Sequence, residues 1–368
     1  MMASSTCIAQ LDVAITDQSF REDRVIVSSA GRHARSRFVV VTVTAASGCR
    51  GWGEGATMAL WSGETPESAQ ALIESTLKSL VVGATFDHPS EIVAVLDKAC
   101  VGNPFAKAAV DCAVWDLWGR ENKVRIVDEI ADREPVTSIP IRASIGAFPP
   151  EDTLARARGL WDEGVRVLKF KTGTPDVDDV ARLQAVRDEL GPEPVFTIDY
   201  NGGCGHDADA AVHSIEALAP FDLALVEQPT HRDRISLLAE VKKRIDIPLL
   251  ADEAVFTPDQ LREAIDLDAF DIMGLYPGKN GGFTHSLSMA KAVAAVGKHC
   301  AIGSDGETVL GEGAMATLAA GLEVFPVEQI PCDLQAAVLY ADPVSAHPDR
   351  YANGRVTVPT GTGFGVEP

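Results

Sequence analysis

Three acidic residues occupy equivalent positions in the second half of this 368-residue chain. Asp199 in TIDYN, Glu227 in LVEQP and Asp252 in LLADE each end a short apolar run, about one strand-plus-helix unit apart. If the runs are neighbouring parallel strands, the three carboxylates converge and repel one another unless a cation lies between them. A set of oxygen ligands without His or Cys suits Mg²⁺, or alternatively Mn²⁺. The pattern predicts a divalent-metal site.

Two lysines precede these acids along the chain. Lys169 and Lys171 in VLKFK are two residues apart on a predicted strand, so both face the same way, inward in a barrel. We expect a buried ammonium beside another ammonium to have a lowered pKa, which would yield a neutral amine that accepts a proton near pH 7. A metal opposite a lysine base suits removal of a proton α to a carboxylate, because the metal stabilises the ene-diolate. A solvent-facing pair on an edge strand is disfavoured by the flanking apolar residues.

The elements that would position these residues follow two patterns. Up to about residue 65 the chain favours strands, as in the β-branched run 36–48, and helical spacing then predicts helices after Thr65 and over 104–123. From about 140 to 335 short apolar runs alternate with amphipathic stretches, which predicts parallel strands joined by helices and closed into a (β/α) barrel. Functional side chains of such barrels lie at the carboxyl ends of the strands.

The amino-acid composition limits the binding partners and the cellular compartment that we expect. Hydrophobic residues make up 46% and charged residues 23%, which is typical of globular proteins. The net charge of −21 argues against nucleic acid or an anionic membrane as partner, since both attract basic surfaces. Seven scattered cysteines without a C-x-x-C pair indicate reduced thiols. With no signal-peptide pattern and no long apolar run, we expect a soluble, cytoplasmic protein.

The motifs also carry a family resemblance. VLKFKTG, TIDYNGG, LVEQP and LLADEA, with GWGEG, GKNGG and the terminal GTGFGVEP, resemble the muconate lactonizing enzyme subgroup of the enolase superfamily, which includes mandelate racemase-like proteins. The resemblance implies an α/β fold, a modified TIM barrel (β/α)7β with an N-terminal α+β capping domain. It implies a capping domain over residues 1–130, a barrel over 131–335 and a segment 336–368 that returns to the capping domain. It also implies a homo-oligomer.

The resemblance implies roles for the residues already singled out. Asp199, Glu227 and Asp252 become the Mg²⁺ ligands. Lys171 becomes the acid/base on one face of a small carboxylate substrate, and Lys169 its electrostatic helper.

Further residues receive roles from the same motifs. Asn201 and Glu253 are expected beside the metal ligands, and Glu307 matches an acid at the end of the seventh strand. Trp61 belongs to a lid, residues 58–61, of the capping domain. Asp305 is either a substrate contact or a loop cap.

One position departs from the subgroup. The subgroup has a second lysine three residues before the lysine of the K-x-GG turn, and Tyr276 occupies that position here. Tyrosine, with a pKa near 10, is a poor base, so we expect one-base chemistry such as lactonization of a muconate-like diacid or dehydration. Tyr276 could instead only pack against the substrate, or Pro277 and Gly278 could bend the strand so that Lys279 reaches inward. Other hypotheses are a racemase or epimerase of an amino-acid derivative and an inactive metal-binding paralogue.

Overall fold

The N-terminal third of the protein is an antiparallel sheet covered by helices. The structure is a computed structural model that describes residues 5–342 and 347–368. A four-stranded sheet has the order β5-β4-β1-β6, and β2 and β3 form a separate hairpin. The strands are β1 (Thr6–Ser19), β2 (Ile26–Ser28), β3 (Gly31–His33), β4 (Arg35–Ala45), β5 (Arg50–Ala56) and β6 (Thr85–Phe86).

The helices of this part pack on one face of the sheet. They are α1 (Ala59–Ser62), α2 (Pro66–Leu72), a π-helical turn (Ile73–Leu77), α3 (Lys78–Val81), α4 (Ser90–Ala99), α5 (Pro104–Asn122) and α6 (Ile126–Ile130), after a 3-10 turn (Glu22–Arg24). The GWGEG segment places Gly51, Gly53 and Gly55 on the face that meets α5, where any Cβ atom would overlap the helix backbone. The glycines therefore let strand and helix approach closely.

A parallel barrel follows, in the arrangement that the sequence predicts. The short β7 (Ser138–Pro140) precedes seven strands in consecutive order. These are β8 (Arg142–Ile145), β9 (Val167–Lys171), β10 (Val195–Asp199), β11 (Leu223–Glu227), β12 (Leu249–Ala251), β13 (Ile272–Leu275) and β14 (His299–Ile302). Connecting helices are α7 (Pro150–Asp162), α8 (Asp179–Leu190), α9 (Ala208–Leu218), a 3-10 turn (Ala219–Phe221), α10 (Ile235–Lys242), α11 (Pro258–Asp266), α12 (Pro277–Asn280), α13 (Phe283–Ala295) and α14 (Val309–Gly321).

The barrel closes through an eighth segment, residues 332–334. Cys332 forms a parallel bridge with Ile141, and the backbone N–H of Asp333 donates to the carbonyl of Ile302 at 3.0 Å. The segment thus bonds to both edges of the seven-stranded sheet and completes the (β/α)7β barrel. The predicted fold class is confirmed.

The C-terminal segment contacts both parts of the chain. It contains α15 (Ala336–Leu339), a 3-10 turn (Pro348–Arg350), β15 (Tyr351–Ala352) and β16 (Arg355–Thr357). β16 pairs with β7, and farther along the backbone N–H of Phe364 donates to Asp116 of α5 at 2.8 Å. None of the helices in the described ranges is long and apolar enough to cross a membrane.

A buried carboxylate joins the capping domain to the barrel. Glu54 on β5 accepts hydrogen bonds from the backbone N–H and the hydroxyl of Thr308, the residue that caps α14. Burial raises the pKa of Glu54 to about 8. This contact holds the loop after β14, which carries Asp305 and Glu307, against the capping domain.

Candidate active site

Strand register brings the predicted acids and lysines together. Lys171, Asp199 and Glu227 are direct partners across β9, β10 and β11. Glu227 pairs with Leu250 of β12, so Asp252 lies two residues farther along, at the same end of the sheet and on the same side. Asp199, Glu227 and Asp252 are all at least 95% buried. The carboxyl end of the barrel is therefore lined by acids at three successive strands.

Lys169 lies below these acids and bonds to several carboxylates. Its Nζ is 2.7 Å from Glu227 Oε1, 2.9 Å from Asp333 Oδ2 and 3.0 Å from Asp199 Oδ2. Burial alone would lower the pKa of Lys169, but the three carboxylates together raise it well above its usual value. The expectation of a neutral amine is therefore wrong for Lys169, because the carboxylates outweigh both burial and the neighbouring ammonium.

Lys171 lies higher in the barrel, at the mouth. Its Nζ donates to Asp199 Oδ2 at 2.6 Å and to the Asn201 side-chain oxygen at 2.8 Å. The Asn201 amide in turn donates to Glu253 Oε1 at 3.2 Å. Asn201 and Glu253 are thus neighbours of the acids, as the resemblance implies.

Two charged residues at the base of the site escaped the sequence analysis. Arg142 on β8 has its Nε 2.7 Å from Asp333 Oδ1 and a terminal nitrogen 3.2 Å from Glu227 Oε2. Asp333 accepts from both Arg142 and Lys169, and all are buried. The sequence gives one indication of these two residues, a charged side chain within each of the runs IPIRASIG and PCDL. Its meaning depends on recognising residues 332–334 as a barrel strand.

Asp252 is held by neighbours on both sides. Lys279 Nζ donates to Asp252 Oδ1 at 2.6 Å and to the carbonyls of Asp252 and Gly274 at 2.9 and 2.7 Å. Gln228, which the sequence analysis did not single out, accepts from the backbone N–H of Asp252 at 3.0 Å. Because its three hydrogen bonds go to Asp252 and to the backbone of the neighbouring strand β13, Lys279 positions Asp252.

The acids fit a hard divalent cation by type, since all of their donor atoms are carboxylate oxygens. Glu253 Oε2 is buried without a hydrogen-bond partner in the described residues, and Glu227 Oε2 has no hydrogen bond there and only the ion pair to Arg142 at 3.2 Å. Burial and the charge of Asp199 raise the pKa of Glu227 to about 7. No three Asp, Glu, His or Cys side chains within residues 5–342 and 347–368 are gathered into one metal-binding group; lysine ammonium groups bond to the acids instead.

Tyr276 is sealed beneath the lid. It is fully buried, and the indole N–H of Trp61 donates to its hydroxyl at 3.2 Å. Arg232, in the loop after β11, donates to the backbone carbonyl of Trp61. Burial and the charges of Asp252 and Asp305 raise the pKa of Tyr276 well above its usual value, so the hydroxyl stays protonated. The lid of residues 58–61 thus closes over the strand end that has lost its lysine.

The two acids after β14 have different surroundings. Glu307 accepts from the Ser304 hydroxyl at 2.6 Å and from the backbone N–H of Asp305 at 3.0 Å, which makes it the loop cap. Asp305 lines the cavity between the barrel mouth and the capping domain, and Glu307 does not. Asp305 accepts from the Tyr276 hydroxyl at 3.4 Å.

A cavity of about 360 Å³ lies between the barrel mouth and the capping domain. Lys171 is the one lysine among the described residues that lines it, with Asn201 and Asp305 on the barrel side and Trp61 on the lid. His33 on β3 also lines the cavity, and no motif in the sequence singled it out. Burial and the nearby charge of Lys171 lower the pKa of His33 to about 4, so its imidazole is neutral.

The fold and site define an enzyme of the enolase superfamily. The enolase C-terminal domain-like family matches residues 152–368, and the mandelate racemase / muconate lactonizing enzyme N-terminal domain matches residues 10–130. The chain belongs to the mandelate racemase / muconate lactonizing enzyme subgroup of that superfamily, as its motifs suggested.

Relatives with different reactions are about equally similar. L-Ala-D/L-Glu epimerase of Bacillus subtilis is 31% identical over 77% of this chain and 77% of its own. Muconate cycloisomerase 1 of Rhodococcus opacus is 31% identical over 89% of this chain and 88% of its own. The solved structure of the Bacillus epimerase superimposes with a TM-score of 0.89 at 26% identity, covering 98% of each chain. Dipeptide epimerase from Enterococcus faecalis, solved with Mg and L-Leu-L-Tyr, gives 0.89 at 25% identity over 98% of this chain and 100% of its own.

Proposed function

We propose that this enzyme removes, or returns, a proton α to the carboxylate of a small substrate, with Lys171 as the general acid/base. The observation that carries the proposal is the position of Lys171. It is the lysine at the cavity, and its Nζ is bonded only to Asp199 and Asn201 in the described residues. The ammonium of Lys169 forms ion pairs with three carboxylates and supplies positive charge below the site.

Asp199, Glu227 and Asp252 would hold a Mg²⁺ ion. The choice of Mg²⁺ rests on the all-oxygen donor set and on the Mg in the Enterococcus relative's structure. A bound Mg²⁺ would stabilise the negative charge that develops on the substrate carboxylate when the proton leaves. Asn201 orients Lys171 by accepting its hydrogen bond, and Lys279 and Gln228 fix Asp252.

One-base chemistry follows from the surroundings of Tyr276. A buried, protonated hydroxyl under Trp61 is poorly suited to accept a proton, and Lys279 is turned toward Asp252. We therefore favour muconate cycloisomerase-like lactonization or dehydration, in which Lys171 acts on one face alone. The similarity to L-Ala-D/L-Glu epimerase makes racemization or epimerization of an amino-acid derivative the second candidate. That reaction needs a second proton-transferring group on the opposite face.

The experiment is a turnover screen with Mg²⁺ present. The panel contains muconates, dipeptides, N-succinyl amino acids and hydroxy acids, the first three chosen from the names of relatives. We expect turnover that Lys171→Ala abolishes while Mg²⁺ binding is retained. Lys298→Ala, which removes a surface lysine bonded to Asp268, is the matched control and should leave turnover unchanged. Turnover that persists in Lys171→Ala would contradict the assignment, and an inactive protein across the panel would favour an inert binding protein. A homo-oligomer in the cytoplasm remains a prediction.

A further inference from the structure

Asp305 is a buried carboxylate without a basic partner. Its residue is 6% exposed, and Oδ2 has no hydrogen-bond partner in the described part of the chain. The predicted metal ligands differ in this respect. Asp199 and Glu227 share Lys169, and Asp252 pairs with Lys279, whereas no Lys, Arg or His of residues 5–342 or 347–368 forms an ion pair with Asp305. A buried carboxyl oxygen without a hydrogen-bond partner is costly, so Oδ2 of Asp305 points to a ligand.

The surroundings of Asp305 are negative and aromatic. Burial and then the charges of Glu307 and Asp252 raise the pKa of Asp305 well above its usual value, and the charge of Lys279 opposes this shift only in part. Its Oδ1 accepts from Tyr276, and Tyr276 accepts from the Trp61 indole. Lys279 is close to the Tyr276 ring, at 5.0 Å from its centroid, but its three hydrogen bonds are directed to Asp252 and to the backbone of Gly274. Within the described residues, no cationic side chain therefore forms a hydrogen bond or an ion pair with Asp305.

We propose that Asp305, with Tyr276 and Trp61 beside it, forms a subsite for the positively charged nitrogen of the substrate. The proposal rests on the proposed function and narrows its substrate class to amino carboxylates whose nitrogen is an ammonium. It therefore favours amino-acid derivatives over muconates among the candidate substrates. Carboxylates and aromatic side chains both attract such cations, the first by charge and the second through the ring quadrupole.

The position of the subsite agrees with the geometry of such a substrate. Lys171 and Asp305 line the same cavity from β9 and from the loop after β14, so both face the space that a bound substrate would occupy. With its carboxylate toward the acid cluster and its α-carbon at Lys171, an amino carboxylate has its nitrogen free to reach Asp305. Asp305 then fixes the orientation of the substrate and transfers no proton.

Matched probes test the subsite without knowledge of the natural substrate. L-Proline, D-proline and cyclopentanecarboxylate have the same ring size and the same carboxylate, and only the first two carry an ammonium. Binding to the full-length protein with Mg²⁺ is measured by calorimetry or ligand-observed NMR. We expect one or both prolines to bind at least about tenfold more tightly than cyclopentanecarboxylate, which corresponds to about 1.4 kcal/mol.

Variants assign the preference to Asp305. Asp305→Asn should reduce the preference for the amine to about one while leaving the affinity for cyclopentanecarboxylate unchanged, which also shows that the fold is intact. Glu67→Gln is the matched control, because Glu67 lines the same cavity but is exposed and paired with Arg37. It should retain the full preference.

Two other outcomes would overturn the subsite, and a third would contradict the proposed carboxylate site. Equal binding of the three probes by the unaltered protein would overturn the subsite, whatever the variants do. A loss of Mg²⁺ affinity in Asp305→Asn would also overturn it, by placing Asp305 in the metal site. Failure of all three probes to bind in a Mg²⁺-dependent way would instead contradict the proposed carboxylate site itself.

Discussion

The indole N–H of Trp61 lies 3.2 Å from the hydroxyl oxygen of Tyr276, so a lid side chain of the capping domain bonds directly to the end of the sixth barrel strand. This strand end is where the subgroup has a second lysine. The chain therefore has lysine on one side of the cavity and a closed aromatic wall on the other. The consequences for proton transfer and for stability can be measured separately.

Tyr276→Phe should retain α-proton exchange. The substitution keeps the ring that packs under Trp61 and removes only the hydroxyl. Loss of a working general base costs about 10²–10⁴-fold in rate, so we expect kcat to fall by less than about tenfold. Steady-state kinetics on any substrate found in the screen measures this. A drop of three orders of magnitude would assign proton transfer to the hydroxyl.

Lys169→Met should destabilise the protein strongly. The change leaves Asp199, Glu227 and Asp333 buried without their shared cation, which typically costs about 3–5 kcal/mol. Urea unfolding of the metal-free protein measures the loss in the free energy of unfolding. Arg262→Gln, which breaks an exposed pair with Asp259, should change that free energy by less than about 1 kcal/mol. Similar effects of the two substitutions would show that the buried network contributes little.

Glu54→Gln should remove part of the pH dependence of stability. Because burial raises the pKa of Glu54 from 4.5 unfolded to about 8 folded, the folded state binds the extra proton. Protonation of Glu54 therefore stabilises the folded protein at low pH. This contribution to the free energy of unfolding is lost as the pH rises toward 8, by about 1.4 kcal/mol per pH unit.

The measurement compares unfolding of Glu54→Gln and the unaltered protein from pH 5 to pH 9. Glutamine can still accept from the Thr308 N–H, so the variant should gain in relative stability as the pH rises. A difference between the two proteins that stays constant with pH would refute the assignment to Glu54.

Removal of divalent metal should abolish turnover and lower thermal stability. Mg²⁺ should raise the melting temperature of the EDTA-treated protein, because a ligand that binds the folded state stabilises it. Asp252→Asn should weaken this rise, whereas Asp259→Asn on the surface of α11 should leave it unchanged. Turnover that survives EDTA would exclude the metal-assisted mechanism.

Much of this architecture was predictable because it depends on local pattern. The alternation of apolar runs and amphipathic stretches predicts the parallel barrel, and acids at the ends of consecutive runs predict one acidic cluster. The N-terminal strands follow from their β-branched runs. These features require only the periodicity of strands and helices.

The remainder depends on contacts between distant segments. Asp333 was missed because its strand is only three residues long and has no periodicity of its own. The lowered pKa expected for Lys169 was wrong because the carboxylates of Asp199, Asp333 and Glu227 lie close enough to reverse it. The burial of Tyr276 is imposed by Trp61, 215 residues away in the chain, and no spacing within either segment indicates it.

The most direct test of Lys171 as the single proton-transferring group is the stereochemistry of α-proton exchange in D₂O. A substrate from the screen is incubated with the enzyme and Mg²⁺, and the α-carbon is followed by ¹H NMR and chiral chromatography. With Lys171 as the only proton-transferring group, deuterium should enter the α-carbon with retention of configuration, and Lys171→Ala should show no exchange. Inversion of configuration by the unaltered enzyme, or exchange that continues in Lys171→Ala, would contradict the account.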